Sequence, residues 1–128
     1  MYQVLLIEDN PGDIELTRIA FEESGLDVGL QTATRHRDAL RQLEALQTAP
    51  DLILLDLNLG DGSGHDVLAR VRQDPELSRV PVVVITTSDY PQDRARAADL
   101  GATDYVVKPN SFDRFVELVR GLAPLLAV

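Results

Sequence analysis

The chain has 128 residues, a formal net charge of -9 and no cysteine. The length predicts one domain with a real core. The charge argues against a nucleic-acid footprint or an anionic membrane surface, both of which want a basic face, and the missing thiols exclude disulfides, thiolate metal sites and a thiol nucleophile.

Val4-Leu5-Leu6-Ile7 is a short unalternating apolar run, the pattern of a strand covered on both faces in a parallel sheet. It ends in Glu8-Asp9. Asn10-Pro11-Gly12-Asp13 then opens a helix, with Asn as cap, Pro at the first helical position and Asp13 near the positive helix end. Ile14, Leu16, Ile19, Ala20 and Phe21 form its apolar face, and Gly25 stops it. Val28 to Ala33 reads as a strand with polar interruptions, hence nearer an edge. Asp38 to Thr48 reads as a second helix.

Leu52-Ile53-Leu54-Leu55 is the most apolar strand, and it runs into Asp56, then Leu57-Asn58-Leu59 and the glycine-rich loop Gly60-Asp61-Gly62-Ser63-Gly64. Val67, Leu68 and Val71 mark a third helix, ended by Pro75. Pro81 introduces the strand Val82-Val83-Val84-Ile85, which ends in Thr86-Thr87-Ser88. Pro91 to Leu100 is a fourth helix closed by Gly101. Tyr105-Val106-Val107 is a fifth strand ending in Lys108-Pro109. Ser111 caps a last helix with Phe112, Phe115, Val116, Leu118 and Val119, which ends at Gly121. Leu122 to Val128 is an uncharged apolar tail. His36 and His65 are too few and too far apart for a metal site and read as solvated loop or helix residues.

No run approaches the roughly 18 apolar residues of a membrane span. The N-terminus shows no basic flank or cleavage site, so a cytoplasmic protein without a signal peptide is expected.

Strand and helix alternate five times, which predicts an α/β fold with a parallel sheet covered on both faces. Four of the five strands deliver a polar or charged group to the carboxyl edge, where open α/β sheets bind ligands: Glu8 and Asp9, Asp56, Thr86, Lys108. Each of these residues alone also reads as an ordinary cap or turn residue. Three clustered carboxylates resist full ionisation, and a hard divalent cation with oxygen ligands and room for water relieves them, which favours magnesium. Such a cation also neutralises a phosphoryl group. Lys108 offers a point charge and a Thr hydroxyl a donor for phosphate oxygens. Asp56 is then a carboxylate nucleophile that forms an acyl phosphate.

Glu8-Asp9, Asp56, Thr86 and Lys108-Pro109 together resemble the functional set of the response-regulator receiver domain of two-component systems. Asp56 stands 47 residues after Asp9, Thr86 another 30 later and Lys108 another 22 later. The resemblance covers essentially the whole chain. It implies a flavodoxin-like (βα)5 doubly wound parallel sheet with strand order 2-1-3-4-5. It implies phosphorylation of Asp56 by a sensor histidine kinase, with Mg2+ held by Glu8, Asp9, Asp56 and the backbone carbonyl of Asn58. Lys108 would pair with the acceptor or the phosphoryl group. Thr86, or Thr87 if the register shifts by one, would turn inward to the phosphoryl oxygen, and Tyr105 would follow from outward to inward, reshaping the surface of the fourth helix, fifth strand and fifth helix. Tyr105 also reads as a half-exposed strand aromatic. In the family the peptide bond between Lys108 and Pro109 is typically cis.

The opening Ile7 to Asp13 and the Thr86-Thr87-Ser88 run look most like stand-alone regulators that partner phytochrome-type or hybrid kinases, so a bacteriophytochrome is an expected partner, together with a downstream protein or phosphotransfer partner. Gly60 departs from a common proline, and Asn110 from a common apolar or aromatic residue. Residues 1–121 are expected to form the receiver domain, with 122–128 a tail and no separate output domain. The tail is expected either to pack over the last helix or to join a homodimer interface. The competing readings are a constitutive receiver-like interaction module, an Asp-nucleophile phosphatase and a flavin-binding module. The phosphatase pattern wants a second Asp where Asn58 stands, and Glu8-Asp9 would repel a flavin phosphate.

Overall fold

The computed structural model describes residues 1–126. The chain runs β1 (Tyr2–Ile7), α1 (Pro11–Ser24), β2 (Val28–Ala33), α2 (His36–Ala45), β3 (Leu52–Leu55), α3 (Gly64–Gln73), β4 (Val82–Thr86), α4 (Pro91–Asp99), β5 (Asp104–Val107), α5 (Phe112–Arg120) and a final turn, α6 (Ala123–Leu126). All five strands pair in parallel, in the order β2-β1-β3-β4-β5. This is the flavodoxin-like order expected, with the polar-interrupted β2 at an edge. No helix among the described residues is long and apolar enough to cross a membrane.

The uninterrupted apolar strands divide their side chains by parity, because successive residues face opposite sides of a sheet. Leu5, Ile7, Ile53, Leu55, Val82 and Val84 build one core with α2, α3 and α4. Val4, Leu6, Leu52, Leu54, Val83 and Ile85 build the other with α1 and α5. The parity carries past the strand ends. Glu8 follows Ile7 and Asp56 follows Leu55, so both carboxylates lean toward the α1 and α5 side. Thr86 follows Ile85 and belongs to the side of α3 and α4.

Helix α1 starts as its sequence indicates: Asn10 Oδ1 accepts from Asp13 N, and Gly25 closes the helix with φ 79. Its inner face is Thr17, Ala20 and Phe21, whereas Ile19, expected inside, is exposed. Helix α2 occupies His36–Ala45 rather than Asp38 to Thr48. The early start has a long-range cap: Asp61, in the glycine loop, accepts from the backbone N of His36 at 2.7 Å and of Arg37 at 3.3 Å. A cap 25 residues away in sequence leaves no local signal.

Gly60 has φ 75. Proline, locked near -65°, has no access to that conformation, which accounts for the departure at this position. No cis peptide bond occurs among the described residues, so the bond from Lys108 to Pro109 is trans, the intrinsically preferred form.

Within the apolar tail, Leu122 and Leu126 are buried against the α1 and α5 core. Ala127 and Val128 lie outside the described residues. Ending the chain after Gly121 removes those two leucines and should lower folding stability by about 2–4 kcal/mol, read as a drop in urea midpoint. An unchanged midpoint would mean that the tail contributes nothing to this core.

Candidate functional site

The carboxyl ends of β1, β3 and β5 converge. Asp56 N donates to Ile7 O at 2.9 Å, which locks the end of β3 to β1 just where both turn acidic. Glu8 and Asp56 are 3% and 6% exposed, while Asp9 is exposed. One carboxylate oxygen from each of Glu8, Asp9 and Asp56 lies within 4.8 Å of the others. The donor set is all oxygen and open on the Asp9 side, which suits a hard divalent ion that keeps water ligands. Asn58 N donates to Asp56 Oδ1 at 3.2 Å, so the loop after β3 folds back on the Asp56 carboxylate.

Lys108 reaches across from β5. Its Nζ donates to Asp13 Oδ2 at 2.7 Å, Glu8 Oε2 at 2.8 Å and Asp56 Oδ2 at 3.0 Å. Burial disfavours its ammonium, but the hydrogen bonds to Asp13 and Glu8 and the Asp56 charge outweigh that and raise its pKa. One cation does not neutralise three carboxylates. Burial pushes the Glu8 carboxyl up to about 7; the Lys108 hydrogen bond opposes this and the Asp56 charge adds to it.

The Glu8 shift has a stability consequence. The unfolded chain ionises Glu8 near 4.5, the folded one near 7. Between those values the folded state holds the extra proton, so stability falls as pH rises, by on the order of 3 kcal/mol, and is level above. Urea unfolding across pH 4.5 to 7.5 should show this slope, and saturating magnesium should flatten it by stabilising the ionised form. A slope unchanged by magnesium would separate Glu8 from the cation.

Thr86 ends β4 on the opposite side and is 1% exposed, whereas Thr87 is exposed. Thr86 Oγ1 accepts from Ser88 N at 3.3 Å. Tyr105 is buried, not half-exposed: its hydroxyl donates to Ser88 O at 2.9 Å, and the Arg94 guanidinium lies 4.6 Å from its ring centroid. Ser88 Oγ donates to Asp93 Oδ2 at 2.6 Å, and Asp93 Oδ1 meets His65 Nε2 at 3.2 Å. Hydrogen bonds from Ser88 and His65 hold the Asp93 carboxyl below its usual range.

His65 is therefore not the solvated residue expected. It is 3% exposed, because the helix starts at Gly64 and turns its ring inward onto α4, and His36 is half-buried against Gly62. Asp13, Ser88, Asp93 and His65 escaped the sequence reading as site residues. Asp13 reads from the sequence as a helix-end charge, which it also is.

A model of the response regulator receiver domain matches residues 4–120. The DNA-binding dual master transcriptional regulator RpaA of Synechocystis sp. is 37% identical over 95% of this chain, which spans about half (49%) of RpaA. Response regulator Rcp1 of the same organism is 35% identical, with 93% of this chain and 84% of Rcp1 covered. Among solved structures, the phosphorylated cyanobacterial phytochrome response regulator RcpA superposes with a TM-score of 0.89 at 34% identity, covering 98% of this chain and 94% of RcpA. A Mn2+-bound form of Rcp1 gives 0.86 at 32%, covering 95% of this chain and 91% of that one. With the matched family spanning nearly the whole sheet and every helix that frames the acidic edge, this chain belongs to the response regulator receiver domain family.

Proposed function

We propose that the chain acts as a single-domain response regulator that accepts a phosphoryl group on Asp56 from a sensor histidine kinase. The observation that carries this reading is a buried Asp56 carboxylate held 3.0 Å from the Lys108 ammonium, at the rim of an all-oxygen acidic cluster. An Asp56 Oδ attacks phosphorus; the P–N bond to the kinase histidine breaks, and its electron pair leaves with the imidazole, which takes up a proton. Glu8, Asp9, Asp56 and the Asn58 backbone carbonyl would hold magnesium, which when bound would supply positive charge against the transferring group. Lys108 supplies a further positive charge to a phosphoryl oxygen.

Thr86 is the hydroxyl that turns to the phosphoryl group, since it is the buried one at the strand end; Thr87 is the less favoured choice. Ser88 links Thr86 to Tyr105, so movement of the β4–α4 loop reaches the α4-β5-α5 surface, where a downstream protein or phosphotransfer partner docks. The chain turns over no substrate in this reading and works in the cytoplasm. The phytochrome link of RcpA supports a bacteriophytochrome as the kinase.

Incubation with magnesium and acetyl phosphate should add one phosphoryl mass, mapped by peptide analysis to Asp56 and prevented by EDTA. No gain from a folded, magnesium-binding protein would leave a constitutive interaction module with a receiver fold.

A further inference from the structure

Asp13 stands outside the Glu8, Asp9 and Asp56 cluster, yet it makes the shortest bond to Lys108, at 2.7 Å against 2.8 Å and 3.0 Å. An ammonium has three N–H donors. Glu8, Asp13 and Asp56 take one each, so none is left for a phosphoryl oxygen. Asp13 is held rigidly: its N donates to Asn10 Oδ1, and its carbonyl accepts from the buried Thr17 hydroxyl at 2.7 Å. It lies in the first turn of α1, where the helix dipole favours an anion. The void shared by Glu8, Asp13, Thr17, Asp56 and Lys108 is about 10 Å³, room for at most one water. The ammonium therefore has few alternatives to these three carboxylates.

We propose that Asp13 is a positioning residue that retains Lys108 on the α1 side of the site and competes with a phosphoryl group on Asp56 for its ammonium. This rests on the phospho-acceptor reading. The tether slows uptake, because one hydrogen bond breaks in step with transfer and because the Asp13 charge offsets that of Lys108. In Asp13→Asn the amide oxygen is a weaker acceptor and the charge is gone; in Asp13→Ala both are gone.

Acetyl phosphate uptake at saturating magnesium should rise about five- to tenfold in Asp13→Asn and at least as much in Asp13→Ala. In a Lys108→Met background, which keeps the buried stem, the Asp13 substitution should change the rate by less than about twofold, since its effect is routed through Lys108. An unchanged or slower rate in Asp13→Asn overturns the proposal. So does an equal acceleration with and without Lys108, which would make Asp13 a bulk charge only. Urea unfolding of the wild type, Asp13→Asn, Lys108→Met and their double variant supplies an arm independent of phosphorylation. Asp13→Asn and Lys108→Met should be non-additive; additivity removes the tether whatever the kinetics show. Non-additivity in a wild-type protein that takes up no phosphoryl group would instead sink the acceptor reading and leave the tether standing.

Discussion

Asp56→Asn should abolish phosphoryl uptake: no mass gain with acetyl phosphate and magnesium under conditions that saturate the wild type. The amide has no carboxylate oxygen to attack phosphorus and form an acyl phosphate. The substitution also reaches its neighbours. Asp56 Oδ2 accepts from Lys108 and Oδ1 from Asn58 N. An amide supplies one acceptor and one donor, so in either orientation its NH2 faces another N–H. Against that local cost stands the removal of one charge from the cluster. The Asp56 charge is one of the causes that raise Glu8, so Glu8 should titrate lower in the variant and the fall of stability between pH 4.5 and 7 should become shallower. Two readouts of different kinds thus follow from one substitution. Mass spectrometry should show uptake lost outright, and pH-dependent urea unfolding should show a reduced slope. Uptake retained in Asp56→Asn would place the acceptor elsewhere and end the reading of this site.

The architecture was legible because the strands are apolar on both faces and the breaks between elements carry their own chemistry. Asn10-Pro11, Pro81, Pro91, Ser111 and Gly121 each mark a boundary that backbone geometry explains without tertiary help. Glu8, Asp56, Thr86 and Lys108 were legible as a group because short apolar runs, each ending in a polar residue, all empty onto one edge. What stayed hidden depends on contacts between distant segments. Asp61 starts α2 two residues early by capping it from the glycine loop. Asp13 bonds Lys108 across 95 residues of sequence. His65 meets Asp93 from a different helix, and no local pattern separates a histidine that faces a carboxylate from one that faces water. Tyr105 lies inward because Ser88 O takes its hydroxyl and Arg94 covers its ring, both supplied by the segment before β5.

Gly64→Ala should be the most destabilising of the glycine-to-alanine changes. A Cβ there would lie 2.3 Å from the Asp56 backbone oxygen and 2.7 Å from Leu57 Cα. Neither atom is the tip of a flexible side chain. Asp56 is tied to β1 through its N–H to Ile7 O, and Gly64 N itself donates to Leu57 O at 2.8 Å, so α3 and the loop after β3 are already drawn together. Relief requires moving the N-terminus of α3 or the end of β3, at a cost of about 3–5 kcal/mol. Gly25→Ala is the useful contrast. Its φ is 79 but nothing lies within 4 Å of the added methyl, so only backbone strain of about 1 kcal/mol applies. The urea midpoint should fall far more for Gly64→Ala than for Gly25→Ala, with similar m-values. The folded fraction of Gly64→Ala should also take up phosphate about a hundredfold more slowly, since the displaced backbone carries Asp56 and a misplacement of roughly 1 Å has that effect on a positioned group. Equal midpoints for the two variants would show that α3 does not press on the end of β3. The rate loss without the stability loss would mean that the loop yields easily and that its position matters for chemistry alone.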